Sequence, residues 1–233
     1  MPWDFAVILI VLAVIVPWRS RKRIIALLRS HALDSRERIS LYASTIAFQW
    51  LVSLLIVWRC IAHDFDFAAL GFTIPTAERA ISLTVVLSTI LALNQVFGVS
   101  RLARLPMGER GVIGQLAERL LPRSRPERWT AFVLVITVAI CEELIYRGFI
   151  QSLFQKMLHS LLLGTLISAV FFALAHAYQG KRGIVTTFII GTVFSAARIW
   201  TGSLFPSMIV HFVVDFSAGV AASSRLLLQR DFQ

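Results

Sequence analysis

Two acids stand side by side within an otherwise apolar segment, in the run Glu142-Glu143-Leu144-Ile145-Tyr146-Arg147-Gly148. A charged side chain inside a membrane helix costs roughly 2.5 to 3.5 kcal/mol on insertion scales, so such residues usually face a cavity and carry a role. At about 100° per residue the two glutamates point in different directions. Glu143 and Arg147, four apart, share a face and can pair, in the order that favours the pair and relieves the burial penalty. Glu142 is left without that partner. An apolar surround makes such a carboxylate a useful proton acceptor near neutral pH, so Glu142 is a physical candidate for a general base. The alternative is that both glutamates are structural and bond neighbouring helices.

Two further pairs repeat the four-residue spacing: Phe172 with His176, and His211 with Asp215. A lone histidine on an apolar helix can simply be packed or hydrogen-bonded. Depth argues for more. If 129–158 and 160–177 form an antiparallel hairpin turning near His159, Glu142 and His176 are equally far from the turn and lie at one level. After the turn at 178–182 and the return near 201–203, His211 and Asp215 come within one or two turns of that level. Glu142, His176, His211 and Asp215 can therefore converge in one cavity between three helices, an arrangement suited to hydrolysis. Gln49, Asn94 and Arg198 have no comparable partners in the pattern and read as helix contacts or interfacial groups.

The elements that must position these groups are membrane helices. The chain has 233 residues, 57% of them hydrophobic, and a mean hydropathy of +0.75, too apolar for a soluble domain. Seven apolar segments stand out, at 5–18, 41–62, 80–97, 129–158, 160–177, 184–200 and 204–222. The predicted fold is an all-α, polytopic bundle of about seven to eight transmembrane helices. The first segment is followed, not preceded, by positive charge and so reads as an uncleaved anchor. The 23 basic residues, all arginine except Lys22, Lys156 and Lys181, lie mainly between the apolar runs. They signal topology and a lipid-bilayer partner, not a nucleic-acid surface.

The basic stretch 19–38 reads as an interfacial amphipathic helix, and it and the arginine-rich 98–128 are expected in the cytoplasm, with the amino terminus outside. Cys60 and Cys141, inside apolar segments, read as packing residues. Residues 122–126, Pro-Arg-Ser-Arg-Pro, form an elbow between a front half with few buried polar groups and a back half with many. The expected division is 1–125 for the leading segments and basic loops, 126–225 for the catalytic core, and 226–233 for a polar tail.

The series Glu142-Glu143-x-x-Tyr146-Arg147-Gly148, Phe172-x-x-x-His176 and His211-x-x-x-Asp215 resembles the CPBP family of intramembrane proteins, named for CAAX proteases and bacteriocin processing. Tyr178-Gln179-Gly180 and Gly202-Ser203-Leu204-Phe205-Pro206 match its surroundings as well. The resemblance covers roughly 126–225. It implies a helical bundle and, for active members, peptide-bond hydrolysis by glutamate-activated water, with no cofactor and no metal. Carried over, Glu142 is the base, His176 positions water, His211 and residue 215 stabilise the oxyanion, and Glu143 with Arg147 holds the motif together. Asp215 departs from the family's usual asparagine, and an ionised carboxylate cannot donate to an oxyanion. Either it is protonated or it orients His211. Two histidines and two carboxylates could also bind a divalent ion, which would make the nucleophile by another route.

The competing functions are a catalytically inactive regulator or immunity protein of the same fold, and a transporter using the acids and histidines as a proton relay, although no pair of broken segments points to one. The expected partner is a peptide or membrane-protein substrate, and the expected location a bacterial inner membrane. For such a chain the family name does not imply cleavage of prenylated proteins.

Overall fold

The computed structural model describes residues 1–73 and 76–227, so most of the tail read at 226–233 lies outside the described residues. Among them are eight helices and no strand, an all-α polytopic bundle. In chain order these are α1 (Trp3–Arg29), α2 (Ser35–Ala62), α3 (Ala77–Arg104), α4 (Gly111–Leu120), α5 (Arg125–Leu158), α6 (Leu161–Ala175), α7 (Ala177–Thr201) and α8 (Phe205–Leu226). Six of them, all but α4 and α6, are long and apolar enough to cross a membrane. The apolar α6 is the shorter arm of a hairpin with α5.

Caps written in the sequence set the boundaries. Asp34 accepts from the Glu37 amide at 2.8 Å while Glu37 accepts from the Asp34 amide at 2.8 Å, a capping box that starts α2. Ser124 caps α5, with Pro126 in its first turn. The turn between α5 and α6 falls at His159, which takes a left-handed conformation at φ 49°, and Ser160 then caps α6. Gly202, at φ 68°, ends α7.

The basic stretch 19–38 is not one interfacial helix. α1 runs on through Arg29, the chain breaks at 30–34, and Arg36 and Arg38 belong to the start of α2. Arginine and lysine are good helix formers, so a helix leaving the membrane has no reason to stop at its first charge. Arg119 of α4 reaches this break and donates to the carbonyls of Leu27, Leu28, Ser30 and His31 at 2.8 to 3.0 Å, satisfying the open end of α1.

The front half also holds more buried polar chemistry than its composition implies. Arg38 grips Glu127 through two nitrogens, at 2.8 and 3.3 Å, and Glu127 accepts further from the Arg123 amide and the Ser124 hydroxyl. Further along, the Trp50 indole donates to Thr137 at 3.2 Å. These contacts lock α2 parallel to α5. At the far end of α2, Asp4 pairs with Arg59 at 2.5 Å and with His63 at 2.9 Å, tying α1 to α2.

The core lies where α1, α2, α6 and α8 meet the middle of α5. Phe5, Leu9 and Leu12 pack with Ile56, Leu144, Phe149, Ile150, Phe172, Leu204 and Met208. Residues 63–73 fold back over this end of the bundle. Arg198 donates to the Ala69 carbonyl at 2.7 Å and to Ser152 at 2.6 Å, so it is a helix-to-loop contact. Gly71 sits at φ 92°, and a β-carbon there would come within 3.0 Å of Leu204.

Candidate active site

Immediately after Glu143 the backbone of α5 widens. Residues Leu144–Gln151 form π-type turns, and all eight residues are buried. Such insertions recur at functional sites, because they rotate the side chains before and after them relative to a regular helix. Arg147 lies inside this stretch, fully buried, and its Nη1 donates to Glu143 Oε1 at 2.7 Å. The rest of its guanidinium rests on aromatic faces, 4.3 Å from the centre of the Phe172 ring and 5.3 Å from that of Phe194. Gly191 of α7 makes room: a β-carbon there would stand 3.3 Å from Arg147 Nη2 and 3.2 Å from Phe172.

Glu143 does more than the local spacing implies. The same Oε1 that binds Arg147 is 2.9 Å from His211 Nδ1. A carboxylate only accepts, so Nδ1 carries the proton and Nε2 faces the other way, toward Asp215. Asp215 Oδ2 lies 3.6 Å from that nitrogen, in ion-pair range and longer than a hydrogen bond. With a carboxylate at each nitrogen, the His211 ring is placed to hold two protons. Phe194 and Phe172 wall it in, with ring centres 5.6 and 6.2 Å away.

His176 fills the one-residue joint between α6 and α7. Its Nδ1 is 2.8 Å from the Phe172 carbonyl, again an acceptor only, so Nε2 is the nitrogen free to meet water or substrate. Its ring packs on Phe172 at 4.6 Å and faces Tyr178 at 6.0 Å. Phe172 thus touches His176, His211 and Arg147 together.

Glu142 is turned away from the Arg147 pair. Its Oε1 accepts from Gln49 Nε2 of α2 at 3.1 Å, and its Oε2 is buried with no hydrogen-bond partner among the described residues. Among the described residues Glu142 and His176 share no hydrogen bond. Tyr178, whose ring centre is 6.0 Å from that of His176, lies within electrostatic reach of both Glu142 and Asp215.

The site therefore has two tiers. Glu143, Arg147 and His211 form a closed, buried layer. Glu142, His176 and Asp215 line a partly open one, with the Asp215 side chain 40% exposed. The structure joins Glu143 to Arg147, His211 to Glu143 and His211 to Asp215; it does not join Glu142 to His176. The residue that sequence reasoning dismissed is Gln49. Its only signal was an amide in the middle of an apolar helix, where a polar group needs a partner. Among the described residues no three His, Cys, Asp or Glu side chains gather closely enough to hold a metal ion.

Three comparisons with known proteins bear on this arrangement. Residues 124–217 match the family model described as type II CAAX prenyl endopeptidase Rce1-like. An uncharacterized 24.3 kDa protein of Escherichia coli is 30% identical over 84 residues, which are 35% of this chain and 39% of that protein. The match thus spans well under half the length of the relative. No solved structure matches. The protein is an integral membrane protein, and its residues 124–217, the segment that carries Glu142, Glu143, His176, His211 and Asp215, are similar to the Rce1-like model of the CPBP family.

Proposed function

We propose that the protein is an intramembrane endopeptidase in which Glu142 activates water to cleave a peptide or membrane-protein substrate, without a metal and without a covalent intermediate. The observation that carries this reading is the pair of carboxylate environments on one helix. Glu143 Oε1 is charge-paired with Arg147 and His211, whereas Glu142 Oε1 meets only the neutral Gln49 amide, and the Oε2 of each is buried without a hydrogen-bond partner among the described residues. Two carboxyls held in contrasting surroundings are how one fold separates a structural role from an acid–base role.

In this scheme Glu142 Oε2 takes a proton from a water held between it and His176 Nε2. The water oxygen attacks the scissile carbonyl carbon, and the charge developing on the carbonyl oxygen meets the His211 Nε2 proton. Collapse breaks the C–N bond, and the proton returns from Glu142 to the leaving nitrogen. Asp215, at 3.6 Å, holds His211 in its doubly protonated form and leaves the oxyanion to the imidazole. The family description supports the reaction class; the location we propose is a bacterial inner membrane, with substrates not restricted to prenylated proteins.

The test compares peptide termini in membranes carrying the intact protein with those carrying Glu142→Gln. New termini that appear only with the intact protein, and persist after chelator treatment, support the reading. Identical termini favour a regulator of the same fold, and loss on chelation favours a metal-bound nucleophile. Asp215→Asn separates the roles of that residue. If residue 215 itself serves the oxyanion, asparagine supplies a neutral donor and activity is retained or rises; if Asp215 acts only by holding the imidazolium, activity falls with metal content unchanged. Ligation of a metal by Asp215 would instead make activity fall together with metal content, read by elemental analysis of the purified variant.

A further inference from the structure

We propose that Gln49 is a positioning residue for Glu142, supplied by a helix outside the segment that matches the family model. The proposal rests on the reading of Glu142 as the base and deepens it. Gln49 lies in the middle of α2, beside Phe48, Trp50 and Leu51, which are 49%, 38% and 67% exposed on the lipid-facing surface. Its amide turns inward and donates to Glu142 Oε1 at 3.1 Å. The register of α2 on α5 does not depend on this bond, because Arg38 with Glu127 and Trp50 with Thr137 already fix it. The bond therefore has a consequence for Glu142 and little for assembly.

That consequence is a choice between two oxygens. A glutamate carboxyl turns easily about its last bond, and two equivalent oxygens would present the water with two orientations. With Oε1 held by an amide that can only donate from that nitrogen, Oε2 alone, buried and without a partner, is left to take the proton. The amide is neutral, so it does this without the counter-charge that quenches Glu143. The site is then completed by the front half of the chain, and the family-matching segment alone lacks the group that aims its base.

The test uses the full-length purified protein and two variants, Gln49→Met, which keeps the side-chain size and removes the donor, and Gln49→Glu, which opposes like charge to Glu142. The infrared difference between each protein and its Glu142→Gln counterpart isolates the Glu142 carboxyl and gives a band whichever form it takes. The expected result is a Glu142 band in the native protein that shifts in Gln49→Met, and further in Gln49→Glu. With a cleavable substrate, Gln49→Met lowers kcat about tenfold to a hundredfold, the scale of a misaimed catalytic group, and leaves KM unchanged. An unmoved band in both variants overturns the proposal while leaving Glu142 as base if Glu142→Gln is inactive. A moved band with kcat unaltered also overturns the positioning role. A moved band in a protein whose Glu142→Gln variant cleaves normally refutes the base and leaves only a contact.

Discussion

Glu142→Gln is expected to leave a folded protein whose chemical step is slower by at least about a hundredfold, the low end for loss of a positioned base. Folding should survive, because an amide keeps the shape of the carboxyl and Glu142 takes no part in the buried ion pair. Its one observed bond is accepted from Gln49, and an amide oxygen accepts it equally well. The variant still binds substrate, so under single-turnover conditions the loss falls on the rate of bond cleavage and not on the concentration needed for half-saturation. Normal cleavage by a Glu142→Gln protein would remove the base from the scheme, and normal binding without cleavage in either form would point to a regulator.

Glu143→Gln should fail differently, through stability. Glu143 Oε1 is the shared acceptor of Arg147 and His211, and glutamate and arginine are both fully buried. Removing the charge strands a guanidinium whose Nε and Nη2 already lack hydrogen-bond partners among the described residues. Breaking one side of such a pair costs roughly 3 to 5 kcal/mol, and that is a large share of a marginal folding free energy. The expected outcome is low yield and a lowered denaturation midpoint in detergent, together with inactivity, because His211 loses the carboxylate charge at its Nδ1. Pairing the change with Arg147→Met removes both charges and should recover part of the stability without activity. A Glu143→Gln protein as stable as the native one would show that Arg147 finds other partners and that the pair does not hold the motif.

The contrast between the glutamates shows what could be read from the chain and what could not. Contacts four residues apart are visible in sequence because helix geometry imposes them, and the Glu143–Arg147 and His211–Asp215 pairs are of this kind. The hairpin at His159 was legible for a similar reason, since two apolar runs flank one short polar joint. Contacts between helices are not encoded by any period. Gln49 and Glu142 are 93 positions apart, and His211 and Glu143 are 68 apart. The rotation of α2 against α5 that joins the first pair follows from a buried Arg38–Glu127 clasp, whose arginine read as one more surface charge in a basic stretch. The widened backbone at Leu144–Gln151 was invisible too, because a run buried on all sides has no face whose period could reveal an extra residue.

Cleavage of a reconstituted membrane-protein substrate in ¹⁸O-labelled water, read by mass spectrometry of the new carboxyl terminus, tests the central claim most directly. The account predicts one substrate bond cut in chelator-treated proteoliposomes, one ¹⁸O atom in each new carboxylate, no acyl-enzyme captured by added hydroxylamine, and none of these products with Glu142→Gln. Equal cleavage by the native and Glu142→Gln proteins, or a substrate left intact by both, would contradict it.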